Sequence, residues 1–340
     1  MPANIALDNN EGHFQKAYDL FAIAYTLHDQ KQYEAAIKAY HDVLAITPED
    51  AETYYNLGLC LREQQRYPEA LDAFAHAAFF LPEDIPALEA FADALETGDR
   101  IPDAIAVLEH ILVLNPVNQN ALFNLGRLKR RMGQVEDSIY FYKQLLAITP
   151  EDAETYYNLG LCLREQQRYP EALDAFAHAA FFLPEDIPAL EAFADALETG
   201  DRIPDAIAVL EHILVLNPVN QNALFNLGRL KRRMGQVEDS IYFYKQLLAI
   251  NPEDSGAYCS LGNALSDARL FKEAEWAYQR SIDLDPVNIL AYKNYAIFFE
   301  ETGRFKEAVC KWKMVRRLGN IGDRKEANKA IQNITRKPNR

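Results

Sequence analysis

Cysteine is scarce and unpatterned. Cys60, Cys162, Cys259 and Cys310 lie 102, 97 and 51 residues apart, spacings that suit neither a metal site nor a disulfide framework. They are expected to serve as small apolar residues, with Cys310 the exception as an exposed thiol. The seven histidines never meet a second histidine or a cysteine at ligand spacing, and are read as surface or boundary residues. No metal or other cofactor is expected. A glycine-rich phosphate loop and a nucleophile motif are both missing, and Glu89, Asp93 and Glu96 have the spacing of a solvated helix face rather than of an acid–base pair. The chain is therefore read as non-enzymatic.

Long apolar runs are also lacking. The longest, around Ala73 to Leu81, is far short of a membrane span, and residues 1–16 show no basic region followed by an apolar core. A cytoplasmic location without a membrane span is the expectation. Basic charge is deficient overall, with a net charge of -15, which argues against nucleic acid as a partner for the body of the molecule.

What the sequence does contain is repetition. Pro48, Pro82, Pro116, Pro150, Pro184, Pro218, Pro252 and Pro286 are each 34 residues apart. Repeat units accordingly begin at Ala17, Ala51, Ile85, Gln119, Ala153, Ile187, Gln221, Ser255 and Ile289, and nine of them fill residues 17–322. A fixed period of this size marks an array whose units bury their apolar faces only by stacking on neighbours. Residues 1–16 precede it as an extension, frayed over Met1 to Asn10, with a first helix starting near Glu11 or Gly12.

Residues 47–148 recur without substitution as 149–250, a block of 102 residues or three units. Packing tolerates many swaps on exposed faces, so copies under ordinary selection drift apart. The block begins and ends inside a shared stretch, Leu44-Ala45-Ile46, Leu146-Ala147-Ile148 and Leu248-Ala249-Ile250, where a splice preserves helix register. We read it as an engineered extension of a six-unit parent. A recent natural tandem duplication is the alternative. A continuous array through 148–153 is expected either way.

Within a unit the pattern is two amphipathic helices. Tyr54, Leu57, Gly58 and Leu61 share one helical face, and Ala70, Phe74 and Ala77 share the face of the next helix. Glu63 to Tyr67 makes the turn between them. The eighth residue of each unit is small, as at Ala24, Gly58, Ala92 and Gly126, and so is the twentieth, as at Ala36, Ala70, Ala104 and Ser138, which allows close approach of the paired helices. After Asn320, which stands where the ninth unit would carry its proline, Asp323 and Glu326 are spaced as a capping box for a helix running to about Thr335. The expected domains are 1–16, 17–322 and a capping helix with basic tail over 323–340, with Pro338 beyond the helix.

Tyr54, Leu57-Gly58, Leu61, Ala70, Phe74, Ala77 and Pro82 match the pattern by which this chain resembles the tetratricopeptide repeat family, over nearly its whole length. Leu20, Leu88 and Leu122 depart from it at the first aromatic. The resemblance implies an all-α, right-handed α-solenoid whose concave wall, lined by the first helix of each hairpin, receives a peptide or protein segment. The second, fifth, sixth, ninth, twelfth and thirteenth residues of each unit would form that wall.

At the sixth place stand Asn56, Asn124, Asn158, Asn226 and Asn294, with Ser260, Ala22, Ala90 and Ala192 interrupting. Such amides can pair with a peptide backbone without reading its sequence, or can satisfy a nearby carbonyl instead. The family's dicarboxylate clamp is absent, since the required lysines are replaced by Phe21, Tyr55, Glu89 and Phe123, and by Tyr25, Leu59, Asp93 and Arg127. Aromatic residues Tyr55, Tyr157, Phe123 and Phe225 suggest that a ligand would contribute apolar side chains.

Charge alternates along the wall. Arg127, Arg130 and Arg131 in the fourth unit, copied as Arg229, Arg232 and Arg233 in the seventh, follow Glu89, Asp93 and Glu96 and their copies. Asp93 is expected to face Arg127 and Glu96 to face Arg130, as ion pairs, or as a basic rung for an acidic ligand group. Each copy of the block carries -8, whereas Arg304 to Arg340 carries +9. That basic end suits membrane lipid, RNA or an acidic protein, or merely solvates the array, and end-to-end self-association stays open. The alternative to a binding scaffold is a purely structural array with no ligand.

Overall fold

A computed structural model describes residues 3–336, with side chains for 13–335. Among these residues the chain forms nineteen helices and no strand. Hairpin 1 pairs α1 (Ala3–Asp29) with α2 (Tyr33–Leu44), hairpin 2 pairs α3 (Ala51–Glu63) with α4 (Tyr67–Phe80), and hairpin 3 pairs α5 (Ile85–Thr97) with α6 (Ile101–Leu114). Hairpin 4 is α7 (Gln119–Arg131) with α8 (Val135–Ile148), hairpin 5 is α9 (Ala153–Glu165) with α10 (Tyr169–Phe182), and hairpin 6 is α11 (Ile187–Thr199) with α12 (Ile203–Leu216). Hairpin 7 is α13 (Gln221–Arg233) with α14 (Val237–Ile250), hairpin 8 is α15 (Ser255–Asp267) with α16 (Phe271–Leu284), and hairpin 9 is α17 (Ile289–Glu301) with α18 (Phe305–Leu318); α19 (Ile321–Arg336) follows. The chain divides into two compact units, Met1–Phe182 and Leu183–Arg340, and the division falls between hairpins 5 and 6.

The thirty-fourth residue of a repeat starts the next hairpin. The side chains of Asp50, Asp84, Asn118, Asp152, Asn220, Asp254 and Asn288 each accept from the amide three residues on, which satisfies one of the orphan donors at the helix start. At the other end of the first helix the fifteenth residue turns left-handed. Lys31, Gln65, Asp99, Gln167, Asp201 and Arg269 have φ between 56° and 59°, and Gly133, Gly235 and Gly303 have φ of 74–75°. Around Gln65, its own N–H donates to the Arg62 carbonyl at 2.9 Å and the Arg66 N–H to the Leu61 carbonyl at 2.9 Å. This is the Schellman closure, which satisfies the last carbonyls of the helix.

The small eighth residue is required by its partner in the second helix. A Cβ placed on Gly58 would lie 2.6 Å from the Phe74 ring, one on Gly126 would lie 2.5 Å from Tyr142, and one on Gly262 would lie 2.7 Å from Tyr278. Those rings are themselves wholly or almost wholly buried. Leu57, Leu61, Ala70 and Ala77 are buried as the helical pattern requires, and Tyr54 is flanked by His76 and Phe80 at 4.8 and 5.8 Å between ring centroids. Cys60, Cys162 and Cys259 are buried and Cys310 is exposed.

At 148–153, within the first unit, hairpin 4 passes into hairpin 5 by the same turn found elsewhere. The Asp152 N–H donates to the Thr149 carbonyl at 3.3 Å, against 3.2 Å for Asp50 to Thr47 and 3.4 Å for Asp254 to Asn251.

Two helix starts differ from the sequence reading. Helix α1 begins at Ala3, not near Glu11 or Gly12. No proline interrupts Ala3 to Asp29, and one Gly costs only about 1 kcal/mol in a long helix. Met1 and Pro2, part of the stretch expected to fray, lie outside the described residues, as does Pro338. Helix α19 begins at Ile321, and its capping box is one turn earlier than expected. Asn320 Oδ1 accepts from the amides of Gly322 and Asp323, while Asp323 Oδ2 accepts from the Asn320 amide at 2.9 Å. Asn320 is the better cap because it lies just outside the helix, where its side chain can turn back to the free amides. Glu326 instead meets Lys293 at 2.6 Å.

Candidate functional site

Within each unit the first helices of consecutive hairpins form a wall. In hairpins 3 and 4 it holds a small notch of about 90 Å³ lined by Glu89, Asp93, Glu96, Asn120 and Asn124 over Ala92, Leu108 and Leu128. In hairpins 6 and 7 the equivalent residues Glu191, Asp195, Glu198, Asn222 and Asn226, joined by Arg229, line one of about 110 Å³. Alongside, between α7 and α9, Gln119, Asn120, Phe123, Asp152 and Glu154 border a wider hollow of about 320 Å³.

The asparagine row splits into three settings. The Asn56 and Asn158 amides donate to the carbonyls of Glu52 and Glu154, one turn back in their own helices, both at 2.9 Å. Asn124 and Asn226 present Oδ1 to Arg127 and Arg229 at 3.0 and 3.1 Å. Asn294 Nδ2 donates to the buried Cys259 Sγ at 3.3 Å. Asn56 is buried, and the other four are half-buried. The fifth-place aromatics rest on the rings that fill the hairpin core: Tyr55 lies 6.1 Å from Phe74, Tyr157 6.0 Å from Phe176, Phe123 6.0 Å from Tyr142 and Phe225 5.8 Å from Tyr244, between centroids.

The arginines are paired, in a different register from that expected. Arg127 grips Glu96 with two hydrogen bonds, one of 2.6 Å, and Arg229 grips Glu198 likewise, one of 2.5 Å. Arg62 meets Asp93 at 3.4 Å. Each such pair joins the twelfth residue of one hairpin to the ninth of the next, so Asp93 does not face Arg127, nor Glu96 Arg130. Side chains lean toward the start of their helix, and the two partners of such a pair are 31 residues apart, three short of the repeat. The residue that would meet Arg130 in this register is Leu161, which has no acceptor. Arg130 therefore reaches Glu165, and in the second unit Arg232 reaches Asp267 at 2.6 Å. These bonds, chiefly the hydrogen bond from Arg127, hold the Glu96 carboxyl below the ordinary carboxylate range against the opposing pull of burial, and Arg229 does the same for Glu198.

Behind the wall, the Tyr40 and Tyr142 hydroxyls are buried and meet no protein partner. Tyr244 is the copy of Tyr142, and the residue of the next hairpin beside its phenol is Ser260. Hairpins 2 and 5 offer Asn56 and Asn158 at the place of Ser260, and both amides are already turned to their own helices. Among the described residues no group of His, Cys, Asp or Glu is arranged to hold a metal ion, and no helix is long and apolar enough to cross a membrane.

Sequence profiles described as TPR repeat or tetratricopeptide repeat match residues 24–61, 51–84, 118–180, 191–255 and 259–312. The chain belongs to the tetratricopeptide repeat family. No curated protein matches it. Among solved structures, it is similar to the C-terminal part of a TPR repeat-containing protein from Cytophaga hutchinsonii, at 16% identity over 71% of this chain and 99% of that one, with a TM-score of 0.62. A tetratricopeptide repeat protein from Parabacteroides merdae is similar at 18% identity over 74% and 99% of the two chains, with a TM-score of 0.52. YrrB, described as a TPR protein with an unusual peptide-binding site, is similar at 20% identity over 54% and 95%, with a TM-score of 0.50. These likenesses establish the solenoid fold.

Proposed function

We propose that the chain is a non-enzymatic scaffold whose first-helix wall holds an extended peptide or protein segment, and that it was built by lengthening a six-hairpin parent. In this reading residues 17–322 are the array, 1–16 a lead-in and 323–340 a cap and tail, in a protein that works in the cytoplasm. The observation that carries it is the wall's composition: half-buried Asn124, Asn158 and Asn226 beside Tyr157, Phe123 and Phe225, which offers backbone hydrogen bonding next to apolar contact. The peptide-binding site in the description of YrrB is in keeping with it. Asn158 keeps its Oδ1 available for a ligand amide, since only its Nδ2 is engaged.

The purely structural reading is favoured by a specific fact as well. Arg127, Arg130, Arg229 and Arg232 already hold carboxylates, so an acidic ligand would have to displace them. Titration of an extended-peptide library separates the two. The scaffold reading expects the triple variant Asn124→Ala, Asn158→Ala, Asn226→Ala to keep its helical content and lose affinity, by about 1 kcal/mol per lost hydrogen bond. No binding by the parent chain supports the structural array, and unchanged binding in that variant returns the asparagines to a structural role.

A further inference from the structure

Charge is handled differently on the last two helices. Through hairpins 2 to 4 the arginines are matched by carboxylates, Arg62 by Asp93, Arg66 by Glu69, Arg100 by Asp103 and Arg131 by Asp99. On α18 and α19 the carboxylates are already engaged. Asp323 and Glu326 lie 2.7 and 2.6 Å from Lys293 of α17, and Glu307 lies 3.0 Å from Arg304 at the hairpin turn. Lys306, Lys313, Arg317, Lys325 and Lys329 are exposed, and among the described residues none has a carboxylate within 4.0 Å. Lys306, Lys313 and Arg317 follow at i, i+7 and i+11, one face of α18 about 16 Å long. Lys325 and Lys329 are a turn apart on α19, which Arg316 ties to α18 through Asn328 at 3.5 Å.

Unmatched like charges so gathered repel one another, and a carboxylate-bearing surface relieves the repulsion. The chain itself presents one. At the turns between hairpins of the first unit, Glu49, Glu83 and Glu151 occupy the same repeat position, are exposed, and have no cation within 4.0 Å among the described residues. An anionic bilayer is the poorer occupant. Ala327 is buried, with Ile331 and Ile334 packed against the core around hairpin 9, so α19 has no apolar stripe left to enter a bilayer.

We infer that the basic face of α18 and α19 docks on the acidic inter-hairpin edge of a second copy of this chain. The two surfaces differ, so the contact is heterologous and propagates head to tail. The test is sedimentation of the full chain and of two charge-reversed variants, Lys313→Glu/Arg317→Glu/Lys329→Glu and Glu49→Lys/Glu83→Lys/Glu151→Lys, each checked for helical content. At about 0.01 M salt, where the screening length is about 30 Å, the parent chain should associate with rising concentration, and at about 1 M salt, where it is about 3 Å, the association should be lost. Each variant alone should stay at 38.7 kDa, because its two surfaces then carry the same sign, and an equimolar mixture should associate again in alternating order, because the native edge of one meets the native face of the other and the two reversed surfaces are likewise complementary. A parent chain that is monomeric at low salt overturns the inference, as does a mixture that fails to pair. Monomeric protein that sediments with anionic vesicles or shifts RNA also overturns it, assigning the face to that partner.

Discussion

The left-handed fifteenth residue shows what a single position can hide. Its periodicity was visible only as a polar stretch between two helical patterns, because only Gly133, Gly235 and Gly303 signal positive φ by their identity. Gln65 and Gln167 adopt the same conformation at 59° and 58°, imposed by the hairpin closure. A left-handed residue with a Cβ costs about 1–2 kcal/mol, against the extra unfolded-state entropy of glycine of about 0.5–1 kcal/mol. Gln65→Gly and Gln167→Gly should therefore stabilise, each by up to about 1 kcal/mol, measured as a shifted denaturant midpoint with unchanged slope. The buried phenols give a second test. Tyr142→Phe removes a hydroxyl without a protein partner and should cost less than Tyr244→Phe, whose hydroxyl has Ser260 beside it, the difference being at most about 1 kcal/mol. Equal costs would mean that Tyr142 is as well satisfied as its copy. The asparagines were legible as a row but not in their partners, since a side-chain amide chooses between its own helix, a neighbour and a ligand by fractions of an ångström.

At the level of elements, the hairpins themselves were plain in the sequence. The 34-residue period, the small residues at the eighth and twentieth places and the closing proline fixed where helices pair. What periodicity does not carry is which residues of neighbouring first helices meet: Arg127 pairs with Glu96, one turn from Asp93, and Arg130 pairs with Glu165 of the following hairpin. The N-caps at Asp50 and its equivalents follow from a rule for helix starts that the repeat's own proline overshadowed. The observed pairing makes a pH prediction. Arg127 and Arg229 depress the carboxyls of Glu96 and Glu198. Their contribution is complete above the unfolded carboxylate value of about 4.3 and is lost as pH falls through the lower folded value. Arg127→Gln with Arg229→Gln should thus lower the melting temperature near neutrality and narrow its gap to the parent chain in acid, as followed by circular dichroism across pH. A gap that is constant with pH would show that the arginines act through packing alone.

For the whole molecule, stability in an array is a sum over hairpins and their interfaces. Deleting residues 149–250 returns α8 to the partner that α14 has now, α15, through Leu146-Ala147-Ile148 in place of Leu248-Ala249-Ile250. The six-hairpin product should fold and unfold at a lower temperature, with a smaller denaturant slope because less surface is exposed. A product of equal or greater stability would show that the added interfaces contribute nothing. The same identity of surfaces bears on how the chain reaches its fold. Hairpins 2 and 5 present the same sequence to whatever precedes them, as hairpins 4 and 7 do to whatever follows, so hairpin 4 can dock on hairpin 8 while the 102 residues of 149–250 are left as a loop. Closing such a loop carries a chain-length penalty of only roughly 4 kcal/mol, so each wrong docking is a kinetic trap that must open before folding resumes. Two chains can make the same exchange with each other, which ties the refolding yield of this protein to its concentration.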